Sequence, residues 1–326
     1  MSIEIKTATL EPVRQTYAHI ERRFGNKPAS RYQEATYDVQ SETNFHYRPL
    51  WQPDLELNDP RRTQIVMQDW YALKDPRQFY YGAYVQQRAK MQEVAESNYA
   101  FFEKRDLARF LSESAKAQVM TYLVPLRHFE HTANLNNMYG AAYGYGTAIT
   151  QALLFNGMDR LGMAQYLSRI GLILDANTGE SLIQAKHQWL EADIWQGLRA
   201  LCEQTLVTED WFEVMVAQNL VMDTLMTDLV YRQLDHKLSE SGAQDVGMLL
   251  EFMQLWNKEA QRWMDAVLKT TASESAANQT LLTQWVQKWR ALAIQALQPL
   301  AEAMLDENAL AQALADLDKR LAKSGI

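Results

Sequence analysis

From about Pro76 to the C-terminus, apolar residues recur at the three- and four-residue spacing that puts them on one face of a helix, and no stretch keeps the two-residue period of a strand. Asp75 before Pro76 predicts a helix start, Asp75 as N-cap and Pro76 in the first helical position. Tyr84, Met91, Val94, Ala95 and Phe102 give the following helix an apolar stripe. Further helices are predicted from about 112 to 137, from 146 to 174 and from 179 to 206. A fifth differs in kind. Thr208 is its expected cap, Glu209 and Asp210 its acidic first turn and Gly242 its stop, which makes a rod roughly 50 Å long. Val214, Met215, Leu220, Val221, Met222, Leu225, Met226 and Leu229 spread around its whole circumference, so it should be buried on several sides. Two long amphipathic helices bearing Trp256, Trp263, Trp285 and Trp289, then a short charged one at 306–323, bring the total to about eight.

Helices of this length, joined by short links without a break in composition, predict an all-α protein in which residues 76–326 form one large up-and-down bundle. Residues 1–75 read differently. Pro12, Pro28, Pro49, Pro53 and Pro60 interrupt any period beyond a short helix near 13–24, yet Tyr32, Tyr37, Phe45, Tyr47 and Trp51 are interleaved among them. Burial of five aromatics does not by itself offset the conformational entropy of ordering the stretch, so an extended arm of this kind needs a large surface. That surface is either its own bundle or a partner chain. The expectation is a partner-clasping arm, with those five aromatics as its contacts.

Charge narrows the choice of partners. The 326 residues carry 32 Lys and Arg against 40 Asp and Glu, a net charge of -8, and no basic run of five or more, which argues against nucleic acid and anionic membrane surfaces. The lone Cys202 cannot form an internal disulfide, and the N-terminal stretch lacks the apolar core of a signal peptide, so the expected location is cytoplasmic. Residues 132–158 hold no charged group, but Asn134, Asn136, Asn137, Thr147, Thr150, Gln151 and Asn156 would be costly in lipid. The stretch reads as a helix pair buried inside protein.

A long-helix bundle can carry a di-iron carboxylate site, built from two single Glu and two Glu-x-x-His pairs facing inward. The residues three places before the six histidines are Thr16, Thr43, Pro125, His128, Gln184 and Gln233, and none is a carboxylate. The remaining metal candidate is the cluster His128, Glu130 and His131, for which a histidine pair in ordinary hydrogen bonds is the plainer reading. The glycine-rich run at 140–146 lacks the ending of a phosphate loop and fits close helix packing instead. Cys202 reads as a buried core thiol, and Met215, Met222 and Met226 as core packing rather than a substrate pocket.

Seven stretches, KPASRYQEATYDV, TNFHYRP, DPRQFYYGAYV, LVPLRH, GMDRLGMAQYLSRI, VTEDWFE and LLEFMQLW, closely resemble, in the same order, the β subunits of bacterial multicomponent phenol hydroxylases. They span residues 27–256. The resemblance implies a ferritin-like long-helix bundle with an extended N-terminal arm, acting as a non-catalytic subunit with no catalytic, cofactor-binding or metal-binding residue. It implies as partners a catalytic α subunit holding the di-iron centre and a small γ subunit, in an (αβγ)2 hydroxylase. A regulatory protein and a reductase carrying flavin and an iron–sulfur cluster, fed by NADH, would dock transiently. In that light Pro125 stands where a related α chain has a ligand Glu, ahead of His128, and Asp223 with Met226 is the counterpart of a second motif. The implied chemistry is hydroxylation of phenols to catechols with O2, at the α subunit. The alternative is the β subunit of a toluene or other arene monooxygenase of the same family.

Overall fold

The computed structural model describes residues 18–40 and 48–326, so the expected contacts Phe45 and Tyr47 lie outside the described residues. Two short helices, α1 (Ala18–Phe24) and α2 (Arg31–Thr36), precede the long ones. Ser30 caps α2 with a reciprocal pair of bonds, its hydroxyl accepting from the Gln33 amide at 3.2 Å while its own amide donates to Gln33 Oε1 at 2.8 Å. Then follow α3 (Tyr81–Lys104), α4 (Glu113–Gln118), α5 (Leu126–Tyr143), α6 (Thr147–Leu174), α7 (Glu180–Glu191) and α8 (Asp193–Leu206). The central rod runs without interruption through α9 (Trp211–Met215), α10 (Asp223–Met226) and α11 (Asp235–Glu240). Between these pieces its turns widen into π-helix at Val216–Met222 and Thr227–Leu234. The last three helices are α12 (Gln244–Glu274), α13 (Ala276–Met304) and α14 (Ala309–Ser324). Among the described residues there is no strand.

Several expected starts move, each for a local reason. The Asp75 carboxylate accepts from the Arg77 amide at 2.8 Å and from its guanidinium at 2.9 Å, which closes a turn instead of capping a helix. Gln78 then takes a positive φ of 53°, and α3 begins only at Tyr81. On α3, Tyr84, Ala95 and Phe102 face the core as expected, but Val94 points outward. Ser112 does cap its helix, accepting from the Ala115 amide at 3.1 Å. The stretch expected as one helix at 179–206 breaks at Ala192, whose backbone is extended. At the head of the rod Asp210, not Thr208, is the cap: its Oδ1 accepts from the amides of Phe212 at 2.9 Å and Glu213 at 3.2 Å. Thr208 donates its hydroxyl back to the Gln204 carbonyl and finishes α8.

The rod is the axis of the bundle. Every residue from 211 to 226 is buried, as its all-round apolar pattern requires. It packs against α5, α12, α13 and α14. α5 and α6 lie along one another as the most intimate pair. α8 crosses α13 at Gly197, where an added Cβ would sit 2.4 Å from the Ala296 carbonyl oxygen. At Gly146, which leads into α6 with φ of +90°, an added Cβ would meet the Trp70 side chain at 3.0 Å.

The described parts of the arm lie on their own bundle. Ile65, Met67, Trp70 and Leu73 belong to the main core, where the Trp70 ring lies 5.9 Å from that of Trp211. The strap at 64–68 is tied down far along the chain. Asn278 accepts from the Val66 amide at 3.2 Å and donates to its carbonyl at 2.8 Å, while Glu274 accepts from the Gln68 amide at 2.8 Å. Tyr32, Tyr37 and Tyr71 form a smaller cluster with Ile20 and Ala148 of α6.

Candidate functional site

The uncharged stretch on α5 and α6 brings its amides together inside the bundle. Asn137, Asn156 and Asn219 form a buried triad: Asn156 donates to Asn137 Oδ1 at 2.9 Å, and Asn219 donates to the same oxygen at 2.9 Å. Asn137 returns a bond to Asn219 Oδ1 at 3.1 Å. A second chain starts at Thr205 of α8. Asn136 Nδ2 donates to Thr205 Oγ1 at 2.8 Å and to Gln218 Oε1 at 2.9 Å, and Gln218 in turn donates to Asp223 Oδ1 at 2.8 Å. These bonds are why polar side chains tolerate the interior.

That chain ends on a three-residue ion network. Arg160 of α6 donates from Nη1 to Glu130 Oε2 at 3.0 Å, and from Nη2 to Asp223 Oδ2. Glu130 comes from α5 and Asp223 from the rod, so the guanidinium joins three helices. The Tyr231 hydroxyl donates to the remaining Glu130 oxygen at 3.4 Å. Burial pushes both carboxyls up, and Arg160 opposes that push. For Arg160 itself burial works to lower the pKa, but Asp223 and Glu130 outweigh it and the group stays above its ordinary value. The neighbouring Asp159 faces another way and takes Arg88 of α3, at 2.8 and 2.6 Å, with Tyr84 donating to it at 2.9 Å. Arg88 also reaches Glu259 of α12 at 2.9 Å.

The residues singled out as a metal candidate do not converge. The Glu130 carboxylate turns inward to Arg160, His131 is exposed, and the His128 ring stacks on Trp189 with centroids 5.6 Å apart. Burial against that indole pushes His128 down to about 4, helped by the nearby charges of Arg127, His131 and Lys186. Pro125 stands immediately before α5, after the widened turn at Val119–Leu123. Met226 is buried in the rod, one turn beyond Asp223. Asp223 is thus joined to Glu130 rather than to anything at 125 or 128. Among the described residues no three His, Cys, Asp or Glu side chains are placed to hold a metal ion. Cys202 is buried, its thiol pushed up to about 12 by burial, which leaves it unreactive.

The expected arm contacts divide. Tyr32 is buried, its hydroxyl accepting from the Asp75 amide at 2.9 Å. Tyr37 is buried too, stacked on Tyr71 at 5.8 Å. Both are spent within the chain, because the nearest apolar surface able to take them is their own bundle. Trp51 is different: it is 51% exposed, with one edge against Tyr143 at 5.2 Å and the Arg62 guanidinium 5.1 Å from its ring. A cleft of about 710 Å³ lies beside this arm, lined by Arg23, Asp38 and residues between 60 and 71, and shares no side chain with the buried network.

Arg160 was not legible as a site residue. Its signal is the charged pair Asp159-Arg160 in the middle of a helix uncharged for its first twelve residues, where two buried charges remain only if each is paired.

On the outside, α5 and α6 each leave one line of side chains without cover. Leu135 on α5, and Leu154, Met158 and Leu161 on α6, are 41%, 41%, 42% and 44% exposed. Met138 lies across Gly157 and bridges the two lines, since a Cβ there would be 2.7 Å from its methyl. No Lys, Arg, Asp or Glu interrupts this face between 131 and 158. No helix among the described residues is long and apolar enough to cross a membrane.

Comparison with known proteins places this geometry in a family. Residues 51–275 match the family model described as methane/phenol/alkene hydroxylase. The chain is 54% identical, over all of its length and 98% of the relative, to the phenol 2-monooxygenase oxygenase component MhpL of Acinetobacter pittii (strain PHEA-2). It is 52% identical over the same shares to the phenol 2-monooxygenase oxygenase component DmpL of Pseudomonas sp. (strain CF600). The hydroxylase β subunit of toluene-4-monooxygenase from Ectopseudomonas mendocina is 26% identical over 94% of this chain and 92% of its own. Among solved structures, a chain of phenol hydroxylase from Pseudomonas sp. OX1 superimposes with a TM-score of 0.93 at 51% identity, covering 99% of this chain and 98% of that one.

Proposed function

Because the chain belongs to the methane/phenol/alkene hydroxylase family, we propose that it is the non-catalytic β subunit of the hydroxylase component of a phenol hydroxylase. The observation that carries this reading is end-to-end identity of 54% and 52% with two phenol 2-monooxygenase oxygenase components. The toluene alternative has 26% identity behind it. In this reading the hydroxylation of phenols to catechols takes place at a di-iron centre in a separate α subunit, and the iron supplies the oxygen chemistry there. Electrons come from NADH through a reductase with flavin and an iron–sulfur cluster, and the natural place for such a reaction is the cytoplasm. The assembly is an (αβγ)2 hydroxylase, with the regulatory protein as a transient partner.

What this chain's own residues contribute is a rigid body and a surface. The buried networks of Arg160 and Arg88 tie α3, α5, α6, α12 and the rod into one block, so a partner meets a fixed shape. The uncharged face of Leu135, Met138, Leu154, Met158 and Leu161 is the kind of apolar patch that a permanent subunit contact covers. The arm adds a second contact through exposed Trp51. Iron content tests the assignment: the chain produced alone in iron-rich medium should carry essentially none, and iron should appear on copurification with the α partner. Two irons held tightly by the isolated chain would make it an oxygenase in its own right and end this reading.

A further inference from the structure

A ferritin-like di-iron bundle directs carboxylates from opposed helices toward two metal ions at its centre. This chain keeps two inward carboxylates on separate helices, Glu130 on α5 and Asp223 on the rod, and they do converge. Between them lies the guanidinium of Arg160, bonded to Glu130 Oε2 at 3.0 Å and to Asp223 Oδ2. The two outer oxygens are taken as well, Asp223 Oδ1 by Gln218 at 2.8 Å and Glu130 Oε1 by Tyr231 at 3.4 Å. Glu130, Arg160 and Asp223 are 2%, 2% and 3% exposed. The donor set therefore does not fit iron: every carboxylate oxygen already has a hydrogen-bond donor, no imidazole among the described residues reaches the place, and a fixed positive charge stands where a cation would bind.

We propose that Arg160 is a permanent internal cation that fills the place between the two inward carboxylates where a metal ion could otherwise bind, and that it closes that place to metal ions. Two buried carboxylates without a counter-charge would take up protons or draw in a cation, and either would make the bundle depend on pH or metal supply. An arginine avoids both, since it does not deprotonate in proteins and cannot dissociate. Its planar fork also matches two carboxylates on opposite sides, which a lysine ammonium would not. A further guanidinium, Arg320 of α14, bonds Thr224 beside Asp223 and adds positive field on the rod side. The inference concerns the interior of this chain and does not depend on its partners.

Two variants of the full-length chain test it: Arg160→Gln, and the triple substitution Arg160→Gln, Glu130→Gln, Asp223→Asn, which is uncharged and nearly isosteric. The single change should lower Tm by on the order of 5–10 °C at neutral pH, because it leaves buried charges unpaired. The deficit should narrow as pH falls from 8 to 5, and the triple variant should recover most of it without that pH dependence. If the single variant does not fold, the triple variant still decides, since a soluble triple variant supports a charge role and an equally unstable one defeats it. A second measurement titrates Co(II) alone, followed by calorimetry. The wild type should show no site that depends on Glu130 and Asp223, whereas wild-type binding that disappears in Glu130→Gln, Asp223→Asn would overturn the proposal. Failure of the subunit assignment would show in copurification and iron content with the α partner, leaving these results untouched.

Discussion

At the residue scale, His128 shows how much one contact can settle. Its ring, half-buried on Trp189, is held down to about 4 by burial, below its ordinary value of about 6.5. A histidine whose folded value is depressed contributes stability that is fully present above 6.5 and is lost as pH falls from 6.5 toward 4. Allowing for solvent screening of the partly exposed ring, the protein should lose about 1–2 kcal/mol across that window. His128→Phe keeps the stacking and removes the proton, so urea unfolding at pH 7 and pH 4.5 should show a smaller difference for the variant. An unchanged difference would mean that other groups govern acid sensitivity. The sequence made the failed iron motif plain, because no carboxylate precedes a histidine by three. It could not say which way Glu130 points, since its neighbour His131 lies 100° further round the helix and only packing selects the inward face.

At the element scale, caps separate what a pattern states from what a hydrogen bond decides. Thr208 is the cap the sequence predicts for the rod, with Glu209 and Asp210 in its first turn, but the side chain that reaches the free amides is Asp210, which also accepts from the Gln64 amide at 2.8 Å. Asp210→Ala should therefore cost about 1–2 kcal/mol in chemical denaturation, and Thr208→Ala no more than a few tenths. Equal losses would return the cap to a shared role. The helices themselves were legible from their period, and the burial of the rod from its all-round apolar surface. The π-turns were not, because a widened turn shifts the register without changing which residues are apolar. Nor was the crossing of α8 and α13, where backbone meets backbone at Gly197. Gly197→Ala forces a Cβ toward the Ala296 carbonyl, and a loss of about 1–3 kcal/mol is expected by thermal or urea unfolding. A neutral result would show that α8 can slide on α13.

At the scale of the whole molecule, the all-α bundle is readable in outline, and side chains from both sides of residue 75 pack into its core. Ile65, Met67, Trp70 and Leu73 lie inside the main core, so an arm that looks irregular in sequence supplies part of the bundle's interior. Irregular backbone hides this, since it carries no period to show which side chains turn inward. The uncharged outer face of α5 and α6 was legible as a run without charge, though not as a surface, because the same run also supplies the buried amides. Met158→Lys puts a charge at the middle of that face, at a position already 42% exposed. The isolated chain should keep its Tm within a degree or so, while recovery of the intact hydroxylase on size-exclusion chromatography should fall sharply. Normal recovery would move the contact elsewhere.

The strap at 64–68 also sets an order of events. Val66 finds its partner Asn278 only 212 residues later. At about 5–20 residues per second, the ribosome needs roughly 10–40 s to make that intervening stretch. Throughout that interval Trp70 and Ile65 have been synthesised but the core that receives them is unfinished. The segment at 64–73 is thus made early and settles late, and nascent chains should be open to proteases and chaperones there until α13 has emerged.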